Sequence, residues 1–275
     1  MNNLPIGVID SGIGGLSVLL GLDEAFSNQT FIYNGDNDNA PYGEKSNREL
    51  LTRALTCVLE MDRFNVKTVV VACNTLSVNV LSDLEYYSQK KCFGVFPPVE
   101  KSIALGESVL LCTPRTAQNY QNVKGLTVLP LPKLAKDIED NLFCADNIKL
   151  ENHVLFAFDH FCLKNKLKDV NFYDFVKERT LVLGCTHYVL IKNEFINHFQ
   201  PQKILTSNED AIFNLKKHLK NAKSLDKHKE NRILFIGKNA DKNKKVFDFL
   251  RKKIKKILKK WLTVVKIYVT MSVQT

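Results

Sequence analysis

Nowhere in the 275 residues do roughly 20 apolar side chains run together, the length a bilayer-spanning helix needs. The opening MNNLPIGVIDSGIGG has no basic segment and turns glycine-rich within a few residues, so no secretory leader is expected and a cytoplasmic setting is. In that setting the seven cysteines (Cys57, Cys73, Cys92, Cys112, Cys144, Cys162 and Cys185) are expected to be reduced. No C-x-x-C pair occurs, so nothing suggests zinc and no metal is expected. Most of these thiols read as small buried hydrophobes, the common fate of free cysteine. The glycine-rich opening also fails as a nucleotide loop. After Gly12 and Gly14, Ser17 stands where G-x-G-x-x-G requires its third glycine. Gly12, Gly14 and Gly15 read instead as residues that permit a tight turn and close backbone approach.

What is present is an ordinary globular composition, 45% hydrophobic and 25% charged, which predicts a packed core. The net charge of +10 is unevenly distributed. Residues 1–213 carry 20 basic and 25 acidic side chains, a net −5, whereas residues 214–260 carry 18 and 4, a net +14. The mildly acidic bulk argues against a nucleic-acid-binding core.

Short apolar runs alternate with amphipathic stretches. Strands are predicted at Ile6 to Ile9, Thr30 to Tyr33, within VKTVVVACNT, at Glu107 to Cys112, Leu126 to Leu129, within TLVLG, and at Arg232 to Ile236. Helices are predicted from Leu16, over Asn47 to Phe64 with Leu50, Leu51, Ala54, Val58 and Met61 on one stripe, over SVNVLSDLEYYSQK, over Leu131 to Leu142, and over ENHVLFAFDHFCLKNKL. This grammar implies an α/β fold with mainly parallel sheets covered on both faces. VVVACNTLSV and LVLGCTHYVL repeat one another: apolar strand, small residue, Cys, a turn containing Thr, helix. They suggest a duplicated architecture.

Ligands of open parallel sheets bind beyond the carboxyl ends of the strands. Asp10-Ser11, Cys73-Asn74-Thr75 and Cys185-Thr186-His187 all fall at such ends. A cysteine there also sits at a helix start, where N–H groups and the helix dipole favour a thiolate and hold a substrate carboxylate. Two such thiols on opposite faces of one carbon suit a racemase: one removes the α-proton, the other returns it from the far side. Each reading has a plainer rival. The cysteines could both be core residues, Asp10 or Ser11 could cap the next helix, and His187 could be a hydrogen-bonded structural histidine. His153 and His160, seven apart, read as structural rather than as metal ligands.

In their order and spacing, GVIDSGIGGLSV (7–18), GD…PYG (35–43), ACNTLS (72–77) and LGCTHYVLI (183–191) resemble the glutamate racemases over roughly residues 5–213. The LGCTH form favours these over aspartate racemases, whose second motif usually carries Glu where this chain has His187. The resemblance implies two facing α/β domains with the active site in the cleft between them. The first comprises about residues 1–95 plus 206–260, the second about 96–205, and 261–275 form a tail of no assigned role. It implies that Cys73 handles the proton of D-glutamate and Cys185 that of L-glutamate, with Asp10 assisting Cys73 and His187 assisting Cys185. KDIEDN resembles the family's paired acidic motif and nominates Glu139 as a further auxiliary acid. Ser11, Pro41, Tyr42, Gly43, Asn74, Thr75 and Thr186 match substrate-binding positions. TPRT adds Thr113 and Thr116 at the substrate carboxylate. No cofactor is implied; a homodimer is a frequent family arrangement; the product would supply peptidoglycan synthesis.

The chain also departs from the family pattern. In GDNDNAPYG, Asn37, Asp38 and Asn39 replace a hydroxyl, a small and a basic residue. Val189 replaces a common proline, the stretch between Glu139 and Cys185 is expanded, and the last SG-D-like element is missing near FIGKNADK. An aspartate or broader racemase, and a binding protein without turnover, therefore remain alternatives. Finally, Phe247, Leu250, Ile254, Ile257, Leu258 and Trp261 recur at helical spacing among lysines. This basic amphipathic helix either packs its stripe on the first domain or lies on an anionic membrane surface or nucleic acid. Packing is the expected case, and no nucleic-acid partner is expected.

Overall fold

Continuous apolar strands can bury both faces only if helices cover each side of a parallel sheet. The computed structural model, which describes residues 4–26, 28–219 and 232–254 (backbone alone for 145–147), has two such sheets. Strands β1 (Ile6–Asp10), β2 (Thr30–Gly35), β3 (Thr68–Val71), β4 (Lys91–Gly94) and β9 (Arg232–Ile236) build the first, ordered β4-β3-β1-β2-β9. Strands β5 (Ser108–Cys112), β6 (Leu126–Pro130), β7 (Thr180–Gly184) and β8 (Lys203–Thr206) build the second, ordered β6-β5-β7-β8. Every pairing is parallel, with Val8 opposite Tyr33 and Val70 in one sheet and Leu110 opposite Val128 and Val182 in the other. The chain is thus an α/β protein of two units.

Neighbouring strand residues go to opposite faces, as the period of two requires. Ile9, Ile32, Val69 and Val71 pack with Leu50, Ala54, Val58 and Met61. Val8, Phe31, Tyr33 and Val70 turn the other way, into a cluster that continues through Leu16 and Leu19 to Val109, Leu111, Leu181 and Leu183 of the second sheet. This shared cluster joins the two units.

The helix predicted over Asn47 to Phe64 starts where expected. A reciprocal cap fixes that start: Ser46 Oγ accepts from the Glu49 N–H (3.3 Å) and Glu49 Oε2 from the Ser46 N–H (3.0 Å). It ends at Leu59, and a 3₁₀ turn, Asp62–Phe64, follows, closed by Asn65 in the left-handed region at φ 57°. The chain must reverse there to enter β3. Strands β4 and β8, absent from the sequence-based assignment, are four-residue edge strands that each open on a lysine. Edge strands are commonly short and charged, which erases the apolar run by which strands are recognised.

Cys57, Cys92 and Cys112 are buried as expected, but Cys144 is exposed and Cys162 half-buried. At the carboxyl end the backbone is helical over 240–254. Val246, Phe247 and Leu250 are buried in the shared cluster, and the Phe247 ring lies 5.6 Å from that of Phe235. Ile257, Leu258, Trp261 and the tail lie outside the described residues. Among the described residues, no helix is long and apolar enough to cross a membrane.

Candidate active site

In parallel sheets the strand ends carry the chemistry because helix N-termini converge there. β1 ends on Asp10, with Ser11 and the glycine turn following. Cys73 stands two residues beyond β3, in extended conformation, as the residue that opens helix Asn74–Ser88. Cys185 follows β7 directly and opens helix Thr186–Leu190 in the same way. The likeness of the two sequence segments is therefore a likeness of place, one cysteine at the head of each sheet.

The glycine turn lets the two halves touch. A methyl group on Gly12 would overlap the Glu139 carboxylate, and one on Gly14 would stand 2.5 Å from His187 Nδ1 and 2.7 Å from Thr186 Oγ1. The turn accordingly has to be bare. Gly43 plays the same part opposite Thr113, and its carbonyl accepts from the Arg115 N–H at 2.8 Å. Tyr42 is buried, donating its hydroxyl to Asp36 Oδ2 (2.6 Å), and Pro41 precedes it after a cis bond from Ala40.

Each thiol has different company. Cys73 Sγ is 3.9 Å from Ser11 Oγ. Burial, then the Asp10 carboxylate, push the Cys73 thiol up to about 12, against the Leu76 N–H that favours its anion. The thiolate expected from a helix start is thus overridden by desolvation: at rest Cys73 holds its proton. Cys185 Sγ is 3.9 Å from His187 Nδ1, and His187 Nε2 is 3.0 Å from Glu139 Oε2. Burial opposes a charged imidazole, yet Cys185 and Glu139 outweigh it and hold His187 well above the usual histidine range. Burial likewise opposes ionised Glu139. His187, the Ile13 N–H (2.8 Å) and Lys242 outweigh that and hold it down at about 2. The two cysteines are near enough that charge on Cys185 raises Cys73.

Asp10 does not cap the next helix. Its Oδ2 accepts from the Gly12 N–H at 2.9 Å inside the turn, whereas Gly15 stands at the helix start with no side-chain cap. Its Oδ1 is buried without a well-formed hydrogen bond among the described residues. Burial, then opposed by His187 and the Gly12 and Gly15 N–H groups, raises the Asp10 carboxyl to about 6. A carboxyl raised from 3.8 binds its proton more tightly folded than unfolded, so its stabilisation is complete below about 4 and is lost as pH rises through 6. Asp10→Asn, neutral throughout, is therefore expected to gain on the wild type between pH 4 and 6. Relative to its value well below pH 4, this gain should reach about 3 kcal/mol at pH 7. Urea midpoints for both proteins across that range check this; a gain independent of pH would contradict it.

Hydroxyls bridge the halves. Thr75 Oγ1 lies 3.0 Å from Thr113 Oγ1 and 3.5 Å from Thr116 Oγ1, and Thr113 donates to Thr116 at 3.1 Å. Thr113 also accepts from the Thr116 N–H, opening the short helix Pro114–Ala117. Asn74 is otherwise engaged: its amide donates to the Val95 carbonyl (3.1 Å) and to Ser207 Oγ (2.9 Å), just where the chain passes between sheets. His153 pairs with Asp137 at 2.6 Å away from these groups, and His160 is exposed. Sequence reasoning missed Tyr33, whose hydroxyl donates to the Gly12 carbonyl (2.6 Å), and the partners of Glu139: Asn37, Lys242 and, behind them, Asn243. Asn37 drew notice only as a departure from a pattern.

No family model matches the chain. It is 32% identical over 257 residues to the glutamate racemase of Clostridium acetobutylicum, covering 89% of this chain and 91% of that one. It is 31% identical over 272 residues to that of Clostridium perfringens, covering 92% and 97%. Among solved structures, the glutamate racemase of Campylobacter jejuni superposes with a TM-score of 0.69 at 25% identity, covering 90% of this chain and 98% of that one. Two cysteines heading two parallel sheets, on a chain alike over nearly its whole length to these proteins, make it a member of the glutamate racemase family.

Proposed function

We propose that this chain interconverts L- and D-glutamate by a two-thiol mechanism that uses no cofactor or metal. The observation that carries the proposal is the pairing of Cys73 and Cys185 at equivalent places, with unlike partners. Cys185 as thiolate removes the α-proton of L-glutamate and becomes a thiol; the electron pair stays on the α-carbon and its carboxylate. Cys73 then delivers its own proton to the opposite face, giving D-glutamate and a Cys73 thiolate. The reverse reaction exchanges the roles, and a further L-glutamate requires the proton to pass back to Cys73. The resting asymmetry supports this reading: a protonated thiol stands beside Asp10 and a cationic imidazole beside Cys185. In this proposal Asp10 and Ser11 serve Cys73, and His187 with Glu139 serves Cys185. Pro41, Tyr42, Gly43, Asn74, Thr75, Thr113, Thr116 and Thr186 shape the pocket. Residues 1–95 with 206–260, and 96–205, form the two domains around it. D-Glutamate for peptidoglycan, made in the cytoplasm, is the product we infer.

Exchange of α-hydrogen in D₂O, followed by NMR with each enantiomer of glutamate and aspartate, tests the proposal. Exchange and inversion of glutamate alone are expected. Exchange of aspartate instead would reassign the substrate, and binding without exchange would make the protein a carrier.

The helpers are predicted to act on different halves. Enantiomers have equal free energy, so any variant must lower kcat/KM equally in both directions. The asymmetry is read in isotope effects. His187→Asn slows transfer at Cys185, so the α-deuterium effect should grow from L-glutamate and shrink from D-glutamate; Asp10→Asn should do the opposite. Isotope effects unchanged in both directions would make these residues scaffold.

A further inference from the structure

Glu139 is almost fully buried, and His187 occupies only one of its oxygens. The other, Oε1, accepts from Lys242 Nζ at 2.8 Å and from Asn37 Nδ2 at 2.6 Å. Asn243, itself buried, donates to Asn37 Oδ1 at 2.9 Å and holds that amide in place. A buried carboxylate facing a buried imidazolium is a costly arrangement unless its remaining lone pairs are satisfied. Here they are satisfied by a cation from the helical stretch that follows β9 of the other sheet. The side chain of Lys242 is 44% exposed, so its ammonium enters from the surface, while Glu139 is 2% exposed. The same segment reaches the altered loop again: Lys238 and Asn239 both contact Asp38. Two departures from the family pattern, Asn37-Asp38-Asn39 and the residues after β9, thus meet each other in space.

We propose that Lys242 is a positioning residue for the reaction. Together with Asn37 it keeps Glu139 ionised and aimed at His187, which in turn keeps a proton next to Cys185. The proposal rests on the two-thiol reading for its catalytic consequence, but the protonation of His187 is independent of turnover. Among the described residues, Cys185, Asp10 and Tyr33 also bear on Glu139 and His187, so these stay unchanged in the test.

The full chain is compared with K242M and K242R. The first removes the charge and keeps the stem; the second restores a cation. Imidazole ¹⁵N shifts of His187, identified with H187N, are followed against pH in the substrate-free protein, and thermal melting is recorded alongside. K242M is expected to lower the pH at which His187 loses its proton by about one unit, and K242R to restore at least half of that. In turnover, K242M should lower kcat roughly tenfold with KM within about twofold, and raise the α-deuterium effect from L-glutamate over that from D-glutamate. An unshifted His187 titration in a folded K242M protein would overturn the proposal, whatever the activity. A shifted titration in a chain that does not racemise glutamate would uphold the Lys242 relay and remove the catalytic reading. If K242M fails to fold, N37A is read in the same way, and an unshifted His187 there overturns the proposal.

Discussion

Cys73→Ser and Cys185→Ser should each reduce glutamate inversion by about a thousandfold or more, while the protein remains folded. A serine hydroxyl fills nearly the same space as a thiol but is a far weaker acid, and positioned acid–base groups are worth roughly 10²–10⁴ in rate. Each variant should retain one half of the chemistry. Without the Cys73 thiol, Cys185 can still remove and return the proton of L-glutamate, so L-glutamate should exchange its α-hydrogen with D₂O without inverting. Without Cys185, only D-glutamate should exchange. Cys144→Ser, at an exposed thiol, is the control and should change neither. Polarimetry measures inversion and NMR measures exchange. Near wild-type kcat in either serine variant, or identical exchange patterns in the two, would sink the mechanism of one thiol per face.

Removal of everything after Lys245 is expected to abolish cooperative folding. It strips Val246, Phe247 and Leu250, all buried in the cluster shared by both sheets. Losing side chains of this kind costs about 2–5 kcal/mol each. Together they match the roughly 5–15 kcal/mol that holds a domain folded. Phe247→Ala in the full chain isolates the packing contribution, and should lower stability by about 3–4 kcal/mol. Far-UV circular dichroism and thermal melts on both proteins check this. A truncated protein that melts as the wild type, yet no longer binds anionic vesicles, would make the basic segment a surface anchor instead. Truncation after Lys260 should leave activity intact, because the proposed catalytic and pocket residues all precede residue 190.

Local pattern determined much of this protein. Runs such as VVVAC and LVLGC announce strands by composition alone, and the cysteine after each is placed by the strand's end. Seven of the nine strands among the described residues were legible for this reason; β4 and β8 were not, because an edge strand of four residues opening on lysine carries no apolar signature. Asp10, Ser11 and His187 were legible as neighbours of a strand end or a cysteine. Other features belong to the tertiary structure. That Cys73 keeps its proton follows from how completely two halves of the chain exclude water around it, and helix position alone suggests the reverse. Glu139 was nominated by resemblance as an auxiliary acid, but its meeting with His187, 48 residues away, is decided by the glycine turn that lets the helix carrying Glu139 approach. Lys242 drew notice only as part of the departing FIGKNADK: among 18 basic residues in 214–260, one lysine is indistinguishable from a solvated charge. Its partner lies 103 positions earlier, and sequence spacing carries no information about which surface side chain the packing of one unit against another turns toward a buried carboxylate.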